Sequence, residues 1–296
     1  METNTTTGSC LCGDIAWETS APFEWMTYCH CSTCRKAHGA AFGAYVGVNA
    51  DAFRWLRGEA AVRSFASSDG NARTFCGRCG SKVASRWRGG VSIPAGTLDG
   101  EIGVRADRHI FAASKAPWHE IRDRLPQHAA SASDGQEFET LRATEPAPGR
   151  VRGACLCGGV AYEIDAPLEG GGITSCHCTR CRKAGATAHA SNLFVALDRF
   201  RWLRGEDQLR SYKIPEALRF TQCFCGDCGA PQPFVNPARG AAVIPCGSLE
   251  DDPGAREARH IFVSSRAPWF EIADELPQFD AYPPPPFPEI AQRARV

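Results

Sequence analysis

The chain has 296 residues, 43% of them hydrophobic, which is enough for two ordinary domains with cores of their own. Lys+Arg and Asp+Glu both total 33, so no net field draws nucleic acid or an anionic membrane to it. No stretch is apolar enough to span a bilayer, and residues 1–7 lack the basic start and apolar run of a secretory signal.

Sixteen cysteines then need a chemical reason. In a reducing compartment, closely spaced cysteines are more often metal ligands than disulfides, so a cytoplasmic metal-binding chain is expected. The first group is Gly8-Ser9-Cys10-Leu11-Cys12-Gly13. Short runs with aromatic or β-branched residues between turns predict strands near 15–18, 42–48, 53–56, 61–65 and 83–87. Among them lie Cys29-His30-Cys31-Ser32-Thr33-Cys34-Arg35-Lys36-Ala37 and Cys76-Gly77-Arg78-Cys79-Gly80, followed by Arg108-His109-Ile110-Phe111 and Ala116-Pro117-Trp118. Proline suits a first helical turn, so the best helix candidates follow Pro117 and its later counterpart Pro268.

All of this recurs 145 to 151 residues later. The second copy carries Cys155 and Cys157, then Cys176-His177-Cys178-Thr179-Arg180-Cys181-Arg182-Lys183-Ala184, then Cys225 and Cys228, His260 and Trp269. A first domain is expected over 1–128, a Ser/Gly/Pro-bearing linker over 129–149, a second domain over 150–282, and an extended proline-rich tail over 283–296.

Each copy has seven cysteines in corresponding places, which divide as four plus three. Distant C-x-C and C-x-x-C pairs commonly close a four-thiolate site, so Cys10, Cys12, Cys76 and Cys79 form one, and Cys155, Cys157, Cys225 and Cys228 its twin. Cys29, Cys31 and Cys34, with Cys176, Cys178 and Cys181, are left as three-thiolate sites with an open fourth position. Exchange of one sulfur from Cys76 or Cys79 into the middle run is the alternative. Zinc held by three thiolates carries one net negative charge, which suits ligand exchange with a substrate thiolate better than making hydroxide. The second copy adds Cys223 and Cys246, read as small buried residues, with closure of the second open site by Cys246 as the sharper alternative.

His30 and His177, each flanked by two ligands, are expected to point away from the metal. His109 and His260 are read as interior residues, with proton transfer as the alternative, and Trp118 and Trp269 as packing residues. Arg35, Lys36, Arg182 and Lys183 follow the last ligand of each run and are either solvated or placed to hold substrate carboxylates.

The ordered set G-S-C-x-C-G, C-H-C-x-x-C-R-K-A, C-G-x-C-G, R-H-I-F and A-P-W-x-E-I-x-D-x-L-P-Q resembles the glutathione-dependent formaldehyde-activating enzyme family, also called the centromere protein V/GFA domain, twice over. The resemblance implies a mainly β fold, two tandem β-tents of small antiparallel sheets with few short helices, and two zinc ions per domain, four per chain. It assigns the structural and catalytic zinc ligands to the same four-plus-three division. It also implies carbon–sulfur lyase activity, forming or cleaving S-hydroxymethylglutathione from formaldehyde and glutathione. The expected function is thus a lyase acting on a thiol adduct of a small carbonyl. The alternative is a non-enzymatic zinc module for a protein partner or for thiol sensing and storage. Nucleic-acid or cytoskeletal binding is disfavoured by the zero charge and the lack of a basic tail.

Overall fold

The computed structural model describes residues 5–68, 70–87, 89–131, 148–166, 168, 172–217 and 220–284. Most of the expected linker and the tail beyond residue 284 lie outside the described residues. The first copy runs β1 (Thr6–Ser9), β2 (Ala16–Thr19), β3 (Trp25–Cys29), helix α1 (Ser32–His38), β4 (Gly43–Asn49), β5 (Phe53–Arg57), β6 (Val62–Ser68), β7 (Asn71–Cys76), β8 (Ser85–Trp87), β9 (Gly90–Pro94) and β10 (His109–Ile110). The second runs β11 (Arg150–Ala154), β12 (Ala161–Asp165), β13 (Gly172–Cys176), helix α2 (Thr179–Gly185), β14 (Ala190–Ala196), β15 (Phe200–Arg204), β16 (Leu209–Lys213), β17 (Thr221–Cys225), β18 (Phe234–Asn236), β19 (Ala241–Pro245), β20 (Arg256–Ile261) and β21 (Gln278–Phe279). The fold is mainly β, and among the described residues no helix is long and apolar enough to cross a membrane.

Each copy pairs three strands into one sheet, β1-β2-β5 or β11-β12-β15, and two into a hairpin, β6-β7 or β16-β17. A larger sheet completes it, in the order β10-β3-β4-β9-β8 in the first copy and β18-β19-β14-β13-β20-β21 in the second. Period-two burial explains the strands: Met26 and Tyr28 on β3, and Val91 and Ile93 on β9, turn into the core while the residues between them stay half-buried. Trp17, Trp118, Trp269 and Tyr162 are among the largest fully buried side chains.

Two expectations need correction. The sheets are not wholly antiparallel, because β10 lies parallel to β3, with His109 opposite Tyr28, and β20 lies parallel to β13. The segments after Pro117 and Pro268 form single turns, and the helices lie inside the cysteine runs instead. Their start is chemical: the Sγ of Cys31 accepts the backbone N–H of Cys34, as that of Cys178 does for Cys181, filling the N-cap role usually taken by an oxygen.

The copies pack on each other through reciprocal contacts, as two subunits of a twofold dimer do. Helix α1 lies on the 3₁₀ turn 246–248, and α2 on the matching turn 95–97. Glycine is required at both crossings, since a Cβ on Gly247 would come 2.3 Å from the Ala40 nitrogen and one on Gly96 2.3 Å from the Thr187 nitrogen. Lys36 pairs with Glu250 at 2.7 Å, and its counterpart Lys183 with Asp99 at 2.8 Å. Buried Lys82 donates to the Gly229 carbonyl at 2.6 Å, a link for which the second copy has Pro231 at the matching place.

Candidate metal centres

Four cysteine clusters form, and their membership matches the four-plus-three division: Cys10, Cys12, Cys76, Cys79; Cys155, Cys157, Cys225, Cys228; Cys29, Cys31, Cys34; and Cys176, Cys178, Cys181. Within each, every sulfur lies within 4.8 Å of the others. Measured contacts are 3.4 Å for Cys10–Cys12, 3.7 Å for Cys12–Cys76, 3.3 Å for Cys155–Cys157, and 3.6 Å for both Cys29–Cys31 and Cys176–Cys178. A disulfide needs about 2.05 Å, whereas tetrahedral thiolates about 2.3 Å from a zinc ion stand roughly 3.8 Å apart. The donor set therefore fits a thiophilic metal ion, and all sixteen cysteines are free thiols.

The four-sulfur clusters tie distant strands together. Cys10 and Cys12 sit on the turn between β1 and β2, while Cys76 ends β7 and Cys79 lies on the knuckle after it. The backbone N–H of Ile15 donates to the Cys10 sulfur at 3.4 Å and that of Val160 to the Cys155 sulfur at 3.2 Å. Cys223 and Cys246 belong to no cluster among the described residues. Cys246 is fully buried in the interface turn, near its own Ile244 carbonyl, so the closure considered for the second open site does not form.

Behind each three-sulfur cluster runs a buried relay. His30 Nε2 lies 2.8 Å from His109 Nδ1, and His109 Nε2 lies 3.0 Å from both carboxylate oxygens of Asp123. The second copy repeats this with His177, His260 and Asp274. Burial, with the neighbouring histidines, lowers His30 and His177 to about 2, so both rings are neutral, and each turns its Nε2 to the next histidine. Both ring nitrogens of His109 and His260 are engaged in this interior network. The carboxylate of the E-I-x-D segment is thus the residue that orients the histidines, a role its motif did not reveal.

Three of the four cations expected to hold substrate carboxylates are otherwise engaged. Lys36 and Lys183 form the interface ion pairs, and Arg182 donates to the carbonyls of Gly96 at 3.2 Å and Leu98 at 3.0 Å. The α-helical turn that follows the third ligand points these side chains at the other copy, 84 to 214 residues away in sequence. Arg35 is half-buried, and its Nε has no partner.

What faces the sulfurs in the first copy comes from elsewhere. Arg73 on β7 reaches Cys34 Sγ with Nη2 at 3.5 Å and Tyr45 Oη with Nη1 at 3.1 Å. Tyr45 on β4 lies 3.5 Å from Cys34 Sγ and 2.7 Å from His38 Nε2, and His38 Nδ1 lies 2.6 Å from the Gly185 carbonyl of the second copy. Hydrogen bonds from Cys29 and Cys31, and then the Arg73 charge, hold Cys34 well below the usual thiol range despite burial. In the second copy the strand register puts Gln222 where Arg73 stands and Asn192 where Tyr45 stands, and α2 ends on Gly185 where α1 ends on His38. There Cys178 is the lowered thiol, to about 3, through hydrogen bonds from Cys176 and Cys181. Arg73, Tyr45 and His38 escape a search for repeats because they are not repeated. The available signal was the reverse, three polar residues replaced at matched positions of two otherwise similar copies.

The family model described as "Glutathione-dependent formaldehyde-activating enzyme" matches residues 5–114 and 150–265. The chain belongs to this family. Its two matched segments are the two tandem copies, each with one four-sulfur and one three-sulfur cluster. Among solved structures, the crystal structure of a Rhodobacter sphaeroides protein is similar at 24% identity, over 33% of this chain and 87% of that one, with a TM-score of 0.25. No curated protein matches the chain.

Proposed function

We propose that the chain is a zinc-dependent carbon–sulfur lyase that forms or cleaves the adduct of glutathione, or a related low-molecular-weight thiol, with a small carbonyl such as formaldehyde. The observation that carries this reading is the pair of three-sulfur clusters standing beside complete four-sulfur ones in a chain of this family. Two zinc ions per copy would make four per chain. At a three-sulfur cluster the ion would supply a Lewis-acidic seat for the substrate sulfur. We divide the chain into domains at 1–128 and 150–282, supported by the segments that match the family, and place it in a reducing, cytoplasmic setting, supported by its free thiols.

The reaction is the addition of a thiol to an aldehyde. One carbon–sulfur bond forms, the C=O bond becomes single, and the thiol proton ends on the new hydroxyl; cleavage is the reverse. Cys29, Cys31 and Cys34, and their counterparts Cys176, Cys178 and Cys181, would hold the ion. Tyr45, hydrogen-bonded to His38 and beside Cys34, stands where that proton can be passed on. Half-buried Arg35 is the one cation of the four not committed to the interface, and would hold a substrate carboxylate.

Metal content per chain, measured before and after mild chelation with glutathione titrated in, tests the proposal. Four zinc ions are expected, with those at the three-sulfur clusters removed first and at least one of these perturbed by the thiol while circular dichroism is unchanged. Two tightly held ions with no response to thiol would leave a structural or binding module.

A further inference from the structure

The two three-sulfur clusters share a backbone and differ in what faces them. We infer that only the first takes an anionic thiolate substrate, because Arg73 is positioned to offset the charge which that sulfur adds, and that the second copy serves it as a scaffold. This rests on the thiol-binding reading above and goes beyond it by assigning the work to one copy and the selectivity to one residue.

A divalent ion with three thiolates has one net negative charge, and a fourth thiolate makes it two. Burying a second uncompensated charge is costly unless a cation lies within a few ångströms. Cys29 and Cys34 are 5% and 2% exposed, so the first cluster is such a place. Arg73 answers it with a guanidinium that cannot deprotonate, 3.5 Å from Cys34 Sγ, and with an Nε that is buried and unpartnered. At the second cluster the matching residue, Gln222, is neutral, and its amide nitrogen is itself buried without a partner. No side chain among the described residues hydrogen-bonds to Cys176, Cys178 or Cys181 apart from those cysteines themselves.

The orientation of Arg73 can be followed through the hydrogen bonds. A carbonyl only accepts, so His38 Nδ1 donates to the Gly185 oxygen and Nε2 bears the lone pair. Tyr45 therefore donates its hydroxyl hydrogen to Nε2, and its oxygen accepts from Arg73 Nη1. Nη2 is then left to Cys34. The anchor of this chain is a backbone atom of the second copy, at the C-terminus of α2 where side-chain-free Gly185 replaces the histidine. The second copy thereby completes the first site, while its own site has no equivalent chain.

The test uses the full chain loaded with Co²⁺, whose thiolate absorption reports each sulfur ligand, titrated with glutathione. One equivalent of glutathione should bind per chain. Arg73→Gln, which installs the residue of the second copy, should retain four metal ions yet bind roughly tenfold or more weakly, as loss of a charged hydrogen bond implies. Arg73→Lys, which keeps the charge, should bind more tightly than Arg73→Gln, and Gln222→Met should bind as the parent does. Two equivalents in the parent, full binding by Arg73→Gln, no gain from lysine, or loss in Gln222→Met would each overturn the inference and leave the thiol reading standing. No glutathione response in the parent would overturn that reading itself.

Discussion

Two three-sulfur clusters lie in one chain on the same strand–helix frame, yet one is faced by Arg73, Tyr45 and His38 while the other copy has Gln222, Asn192 and Gly185 at the matching positions. The sulfurs are maintained in both because their spacing also builds the fold: Cys31 and Cys178 cap the helices that press against the opposite copy. The polar side chains around them differ, and that is where the copies part. Duplication thus leaves the metal frame alike and the chemistry lopsided.

The comparison can be broken most severely by removing metal. The four-sulfur clusters join the β1–β2 turn to the end of β7 and the β11–β12 turn to the end of β17, so strong chelation should abolish the cooperative folding transition of both copies, a structural ion at such a site being worth on the order of 10 kcal/mol. Thermal melts with and without chelator would check this, and an unchanged melt after complete metal removal would contradict it. Gly247→Ala should cost about 2 kcal/mol or more, because the added Cβ meets backbone across the interface at 2.3 Å. It pushes on Arg35 and Ala40 and so on the helix of the first cluster, whereas Gly96→Ala pushes on Ala186 and Thr187 beside the second. Urea unfolding with metal counts should show each glycine disturbing the opposite copy.

The ion pairs sharpen the contrast. Lys36 and Glu250 are 8% and 14% exposed, while Asp99, the partner of Lys183, is 47% exposed. Lys36→Met should therefore cost about 3 kcal/mol by stranding a buried carboxylate, and Lys183→Met about 1 kcal/mol or less. Equal losses in urea unfolding would show that burial does not separate the pairs. A further contrast concerns acid. Burial lowers His189, on the second copy where the first has Phe42, to about 4, against an opposing pull from Glu257. A depressed folded value means that the unfolded chain takes up the proton first. The contribution of His189 is thus complete above its unfolded value near 6.5 and is lost as pH falls from there toward 4. His189→Phe should flatten the fall in stability between pH 7 and 5 by up to about 1.4 kcal/mol per pH unit. Urea midpoints at several pH values would check the slope, and an unchanged slope would refute it.

Much of the frame was legible because sulfur spacing is a strong signal: C-x-C and C-x-x-C pairs on different strands predict the same four-plus-three membership that the folded chain assembles. Alternating burial on strands such as β9 was legible for the same kind of reason. Helices α1 and α2 were not, since seven residues are too few to show a 3.6-residue period and a sulfur cap is not an expected start signal. The interface was hidden more deeply. Lys36, two residues after Cys34, looks like a substrate contact, and nothing local to it announces Glu250, 214 residues away. Arg73 was not legible because it has no counterpart: the second copy carries Gln222 at its position.

The most direct test of the account is the rate at which formaldehyde and glutathione exchange with their S-hydroxymethyl adduct, followed by NMR exchange spectroscopy with the metal-loaded chain and with Cys34→Ser. The account predicts acceleration over the spontaneous reaction by the parent chain, lost in Cys34→Ser while its four-sulfur clusters and fold persist. No acceleration by a fully loaded parent, or equal acceleration by Cys34→Ser, would contradict it.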